Sequence, residues 1–221
     1  EDLDLKIQDG ANIDVIAARK GDPTNGLGTS ITVKLPPEFD GNLTIMNHGD
    51  GPLANAGEFD VDVNAVASAK TVTLTNKASL GDCTVKGGPS VVSTGVTCRE
   101  TVTVLDVSDD VNITTEGDGG DVPSVVLRVS QVSAAAKGGT ISVTGEGSIS
   151  ATFPASGNYS LHASAPHGAV DTGAAPSGCT ASEAGATDKT VTCGAGGAAY
   201  GLSTQGENGV FAEGNVTLSY K

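Results

Sequence analysis

Asp82-Cys83-Thr84 is followed by Gly95-Val96-Thr97-Cys98. A stretch of similar sequence occurs later in the chain, where Gly178-Cys179-Thr180 is followed by Thr190-Val191-Thr192-Cys193. In each stretch, two short β-like runs flank a turn rich in small residues. The spacing predicts disulfides between Cys83 and Cys98 and between Cys179 and Cys193, each closing a loop of about fifteen residues worth ~3 kcal/mol. Four cysteines allow other pairings, but neither pair has the short spacing of a zinc site.

The repeat extends beyond the cysteines. Residues 28–36 parallel residues 147–154, because both run as a strand that a proline stops. Residues 41–45 then parallel residues 157–161, where Gly-Asn opens a second strand in each copy. Two similar units, each with its own disulfide, predict two related domains.

Short runs of alternating apolar and polar residues recur along the chain, and none of useful length has helical spacing. Gly and Pro punctuate these runs, as they do in sandwiches and barrels. Aromatic residues make up only 3% of the chain and Trp is absent, so the core must be built from Val, Ile, Leu and Ala. The pattern predicts an all-β protein with two thin sheets.

The second unit resembles the conserved-repeat Ig-like domains of bacterial and archaeal surface proteins. The resemblance is best over residues 148–201, where a strand ending at Pro154 is followed by Gly178-Cys179-Thr180 and Val191-Thr192-Cys193. The first unit departs from it, with Asp82 in place of the glycine.

This resemblance implies two tandem Ig-like β-sandwich domains, each with one intradomain disulfide. The first would span residues 1–113, with extra strands, and the second residues 114–221. The acidic, glycine-rich span 106–122 would join them. Domains of this kind imply a structural or stalk role at a cell surface, and they provide no catalytic residues to transfer.

The charge of the chain limits its partners. A net charge of −14, with 12 scattered basic residues, argues against nucleic acid and against anionic membrane surfaces. No apolar run approaches the ~18 residues that a membrane-spanning helix needs. The paired cysteines favour an oxidising compartment, and the start at Glu1 fits removal of a signal peptide, so we expect a secreted or cell-surface protein.

Acidic residues crowd the predicted linker: Asp106, Asp109, Asp110, Asp118 and Asp121. Acidic loops can supply the oxygen ligands that calcium prefers, so these residues are a candidate structural calcium site. A solvated acidic loop is the other interpretation. We expect no further cofactor.

Asn-x-Ser/Thr sequons occur at Asn42, Asn112, Asn158 and Asn215. They are candidate glycosylation sites in a secreted protein. Asn42 and Asn158 fall at matching places in the repeat, although a chain rich in Ser and Thr also produces such sequons by chance.

No catalytic constellation accompanies these motifs, so we do not expect an enzyme. We predict an extracellular structural protein, a homo-oligomeric or polymeric subunit of a fibre, stalk or layer, whose copies pair through strand edges. Leu3, Leu5 and Ile7 mark a first strand that could be donated to a neighbouring copy or could stay in its own domain. The alternative is an adhesin or ligand-binding module whose loops contact a surface glycan or protein.

Overall fold

The protein was analysed as a computed structural model, which describes residues 3–7, 12–19, 29–34, 39, 41–47, 59–64, 69–77, 81–88, 90–116, 122–145, 147–183, 185–205 and 214–221. The regular structure in these residues is β-strand. In chain order the strands are β1 (Leu3–Ile7), β2 (Asn12–Arg19), β3 (Thr29–Lys34), β4 (Asn42–Asn47), β5 (Phe59–Asn64), β6 (Thr71–Asn76), β7 (Cys83–Lys86), β8 (Ser93–Cys98), β9 (Val102–Ser108), β10 (Asp110–Glu116), β11 (Ser124–Gln131), β12 (Gly138–Thr144), β13 (Ser148–Phe153), β14 (Tyr159–Ser164), β15 (Val170–Asp171), β16 (Cys179–Glu183), β17 (Asp188–Cys193), β18 (Ala198–Thr204) and β19 (Val216–Tyr220).

The strands form two sheets. The first sheet has 11 strands in the order β1-β2-β4-β6-β8-β10-β12-β18-β14-β17-β16, and the second has 8 in the order β15-β19-β13-β11-β9-β7-β5-β3. From β2 to β13 the chain alternates between the sheets, and each coil of two strands stacks in parallel on the one before it. The architecture is a flattened β-solenoid, and among the described residues antiparallel pairs occur only at the ends of the first sheet, β1 with β2 and β17 with β14 and β16.

The predicted pair of Ig-like β-sandwich domains is therefore wrong, although the all-β class is correct. An Ig-like sandwich pairs its strands antiparallel. Here most strands pair in parallel with the strand one coil away, as β6 does with β4 and β8. A strand with one buried face alternates with period two in either arrangement, so the pattern indicated strands without indicating their partners.

The predicted boundary between residues 113 and 114 lies inside β10 (Asp110–Glu116). This strand pairs with β8 on one side and β12 on the other, so the first sheet runs across the boundary. The division of the chain into two independently folding units stays a prediction.

The core fills the space between the two sheets. Side chains from successive coils stack in register, as Val102, Val125, Ile149 and Val216 do in the second sheet. None of these four side chains is more than 1% exposed. Burial of a side chain of this size contributes ~1.5–3 kcal/mol relative to exposure. A core of small aliphatic residues is what the low aromatic content indicated.

The C-terminal coil of β18 and β19 is inserted out of sequence order. In the first sheet β18 lies between β12 and β14, and in the second sheet β19 lies between β13 and β15. Tyr200 of β18 is 1% exposed, and its hydroxyl donates a hydrogen bond to the Asp109 carbonyl oxygen at the turn between β9 and β10. The inserted coil is thus hydrogen-bonded on both sides and held by a buried tyrosine.

Candidate functional site

The outward side chains of the first sheet form a regular array of hydroxyl groups. One column crosses β6, β8, β10, β12, β18 and β14 in register through Thr75, Thr97, Thr114, Ser142, Ser203 and Ser164. Neighbouring columns on these strands and on β4 add six further hydroxyls: Thr44, Thr71, Thr73, Ser93, Thr140 and Ser160. We call these twelve residues the hydroxyl face.

The spacing of this array follows from the backbone. Adjacent strands lie ~4.8 Å apart, and alternate residues along a strand lie ~6.7 Å apart. Thr75, Thr97 and Thr114 are direct register partners on successive strands, so their hydroxyls repeat at the strand spacing. Such a grid is held by backbone pairing and needs no loop to position it.

The columns of the hydroxyl face carry little charge. Their remaining members are Asn42, Met46, Gly95, Asp110, Asn112, Gly138, His162, Ala199 and Gly201. The Asp110 carboxylate accepts hydrogen bonds from the backbone N–H groups of Lys137 (2.7 Å) and Gly138 (3.1 Å). Further charged residues border the columns: Glu116 at the end of β10, Asp188 beside Ser164, and Lys77 and Arg99 past the ends of β6 and β8.

The second sheet presents a different surface, which we call the charged face. Its outward positions include Asp62, Lys86, Arg128 and Asp171. Arg128 donates two hydrogen bonds to the Asp106 carboxylate, at 2.8 and 2.7 Å, and this contact holds the pKa of Asp106 below its usual value. Hydroxyls also line this face, since Thr84, Thr103, Ser150 and Thr217 lie in one outward register column, so the two outer surfaces of the solenoid differ mainly in charge.

The disulfides join the two pairs that the spacing predicted, Cys83 with Cys98 and Cys179 with Cys193. Cys83 and Cys98 connect β7 of the second sheet to β8 of the first, and both are almost fully buried. Cys179 and Cys193 are register partners on β16 and β17, at the end of the first sheet. The Cys83–Cys98 bond links the two sheets, and the Cys179–Cys193 bond closes the hairpin of β16 and β17. Disulfides of this kind are typical of an oxidising environment.

Three of the candidate calcium ligands already have protein donors. Asp106 pairs with Arg128, Asp109 accepts from the Ser133 backbone N–H (2.7 Å) and hydroxyl (2.8 Å), and Asp110 is bound as described above. Asp118 and Asp121 lie outside the described residues. Within the described part, no three or more His, Cys, Asp or Glu residues come together as a metal site would require. Calcium binding stays a prediction, and these contacts do not favour it.

The sequon asparagines are exposed, and each side-chain oxygen accepts a hydrogen bond from a neighbouring coil or turn. The donors are the Thr71 hydroxyl to Asn42 and the backbone N–H groups of Thr140 to Asn112, Ala195 to Asn158 and Ala169 to Asn215. The asparagines therefore link successive turns of the chain. Glycosylation, which attaches to the amide nitrogen, stays a prediction.

The first strand lies in its own sheet. Leu3, Leu5 and Ile7 belong to β1, which pairs antiparallel with β2 of the same chain. This pairing corresponds to the alternative in which the first strand stays with its own chain. Donation of β1 to another copy stays a prediction.

The hydroxyl face was not predicted from the sequence. The indication in the sequence was the alternation of hydroxyl and aliphatic residues in two strands, Thr71-Val72-Thr73-Leu74-Thr75 and Thr140-Ile141-Ser142-Val143-Thr144. Their hydroxyls fall in shared columns because the coils stack with these strands in register, and the alternation along one strand does not specify that register.

Fold and surface together define a disulfide-stapled, two-sheet β-solenoid with one hydroxyl-rich face and one charged face. Comparison with known proteins found no matching family model, no similar curated protein and no similar solved structure. In the described part of the chain, no helix is long and apolar enough to cross a membrane.

Proposed function

We propose that this chain is a secreted structural protein without enzymatic activity, a subunit of a cell-surface fibre, stalk or layer. The observation that carries the proposal is the inserted C-terminal coil. A segment that fills a slot between two coils of its own chain can fill the same slot in another copy with the same contacts.

The exchangeable segment is residues 198–221. It follows the glycine-rich turn Gly194-Ala195-Gly196-Gly197, in which Gly194 and Gly196 have positive φ angles of 58° and 71°. Such a turn is a suitable hinge, because glycine adopts many backbone conformations at low cost. If each copy donated its coil to the next, the contact would be head-to-tail and would build an open chain.

The ends of the solenoid favour coil exchange over the pairing of strand edges. At the C-terminal end, the second sheet finishes in β15, which has 2 residues. The first sheet finishes there in the antiparallel β16–β17 hairpin, closed by the disulfide between Cys179 and Cys193. Short or covered edges are the usual means by which β-proteins avoid edge pairing.

Cross-linking of mixed variants tests the exchange. Ala199 and Ser160 are register partners across the slot, and the four natural cysteines are already in disulfides. Ala199→Cys and Ser160→Cys are made in separate chains, mixed at high concentration and treated with a short thiol cross-linker. Exchange predicts a cross-linked heterodimer that increases with concentration.

The matched control mixes Ala199→Cys with Ser150→Cys. Ser150 lies in the second sheet, where it pairs with β19 of the inserted coil and not with β18. If the Ser160 mixture gave no more product than this control, coil exchange would be wrong. Electron microscopy of the concentrated protein would then decide whether it assembles by another route.

The second candidate function is a binding module. The hydroxyl face favours it, because its side chains point away from the core and form an array of hydroxyls on the outer surface. The surface proposed for this function is a sheet face, and contact through the loops stays a prediction.

A further inference from the structure

We propose that the hydroxyl face binds ice. The proposal goes beyond the structural role above and does not depend on coil exchange. It rests on the spacing, the charge and the rigidity of the twelve hydroxyl residues.

The spacing of the hydroxyls is compatible with crystalline water. Two oxygens bonded to one tetrahedral water at ~2.75 Å lie about 4.5 Å apart, close to the ~4.8 Å between adjacent strands. Thr75, Thr97 and Thr114 are register partners on successive strands, so water can bridge each pair in turn. The column continues through Ser142, whose hydroxyl lies closer, 3.5 Å from the Thr114 hydroxyl, and donates to it directly.

The charge of the face favours a neutral partner. The chain carries a net charge of −14, and among the described residues the ionisable ones in or directly beside the hydroxyl columns of β10, β14 and β17 are Asp110, Glu116, His162 and Asp188. Ions are strongly hydrated and fit poorly into a neutral crystal, whereas short hydroxyls can occupy lattice positions.

The shape of the face favours ice over a neutral polysaccharide. Its columns contain no Trp, Tyr or Phe, and the aromatic side chains Tyr159, Tyr200 and Phe153 lie in the core. Sugar rings usually stack on exposed aromatic rings, and the hydroxyl face offers none. Apart from Met46 and His162, its side chains are small, so a flat crystal can approach the sheet closely.

The hydroxyls are held in place before any ligand arrives. Threonine is branched at Cβ and has few χ1 rotamers. The strands below it are paired on both sides, and the bond between Cys83 and Cys98 ties the two sheets together beneath the face. A prearranged surface loses little conformational entropy on binding.

Ice affinity tests the proposal directly. Ice is grown slowly on a cooled probe from a dilute solution of the labelled, oxidised chain, and the protein is measured in the ice and in the remaining liquid. We expect enrichment in the ice fraction. Thr97→Tyr should reduce it by about tenfold or more, which corresponds to ~1.4 kcal/mol, because the ring stands above the hydroxyl plane.

The matched control is Thr217→Tyr, which makes the same change at an exposed strand position on the charged face. It should leave enrichment at the wild-type value. Thr73→Tyr, in a neighbouring column, provides a second test should Thr97→Tyr fail to fold. All variants are compared by circular dichroism and melting temperature before use.

Three results would overturn the proposal. They are exclusion of the wild-type chain from ice, equal loss in the variants of both faces, and selective binding of the wild-type chain to microcrystalline cellulose or chitin with none to ice. The last result would assign the face to a polysaccharide. Each outcome is independent of the cross-linking result, so failure of one proposal leaves the other standing.

Discussion

Removal of one hydroxyl group tests how the inserted coil is held. Tyr200 lies in the core with its ring 5.0 Å from that of Phe153, and its hydroxyl donates to the Asp109 carbonyl oxygen. Tyr200→Phe keeps the ring and deletes this bond, leaving a buried carbonyl without its donor. The expected loss is ~1–3 kcal/mol of unfolding free energy.

Asp109 increases the importance of this bond. It is 8% exposed, and its φ of 58° is a left-handed conformation that costs a non-glycine residue ~1–2 kcal/mol. Three contacts hold it there. The Asp109 carboxylate accepts a hydrogen bond from Ser133, and the Asp109 backbone N–H donates to the Gln131 carbonyl oxygen. The Asp109 carbonyl oxygen accepts from the Tyr200 hydroxyl. Loss of one contact should therefore loosen the turn between β9 and β10 together with the inserted coil.

Urea denaturation followed by circular dichroism measures the effect, with Tyr220→Phe as the control. The Tyr220 hydroxyl is buried without a hydrogen-bond partner among the described residues, so its removal should be neutral or stabilising. The melting temperature of Tyr200→Phe should fall by about 2–4 °C for each kcal/mol lost. Equal shifts in the two variants would refute the role given to the Asp109 contact.

Three further predictions use the same denaturation assay. Gly138→Ala should destabilise by ~3 kcal/mol or more, since φ is +102° and the new Cβ would lie 1.9 Å from the Ala199 carbonyl oxygen, whereas Gly201→Ala, with open space around it, should be neutral or slightly stabilising. Burial raises the pKa of Tyr159 and Tyr220 to about 12, so above pH ~10 the unfolded state binds fewer protons and stability should fall by up to ~1.4 kcal/mol per pH unit for each tyrosine; a flat profile to pH ~11 would contradict this. Reduction of both disulfides should cost ~3 kcal/mol for each bond, and the buried bond between the sheets should be reduced last.

The sequence predicted local features well because they depend on local patterning. The strand Thr71–Asn76 follows from its alternation, and its structure shows alternating burial. The disulfide between Cys179 and Cys193 follows from two short runs that face each other in a hairpin. Neither inference requires the position of a distant strand.

The partners of the strands could not be predicted in this way. The register steps from Asn42 to Thr71 to Ser93 differ in length, because the connections between coils vary, and an irregular repeat leaves no fixed period in the sequence. The resemblance of residues 148–201 to an Ig-like unit was misleading for the same reason. That stretch contains the hairpin β16–β17. It also contains β14, which pairs with the inserted β18, and β13 and β15, which pair with the inserted β19.

The candidate surface was hidden by the same dependence on distant partners. Thr97 and Ser203 are more than a hundred residues apart in the chain, yet the inserted coil places them in one column. The acidic span, by contrast, looked like a site because its aspartates are close in sequence. Asp106 and Asp109 instead satisfy donors on β11 and the turn that follows it.

The out-of-order coil also constrains how the chain can fold. Coils β2 to β13 can stack one after another as the polypeptide emerges, since each needs only the coil before it. The gap between β12 and β14, by contrast, stays open until residues 198–221 are available. Closing it requires contacts between segments far apart in the chain, which are slow to form. During synthesis the molecule should therefore persist as an almost complete intermediate with one open gap, the state in which a chaperone or a second copy could reach it.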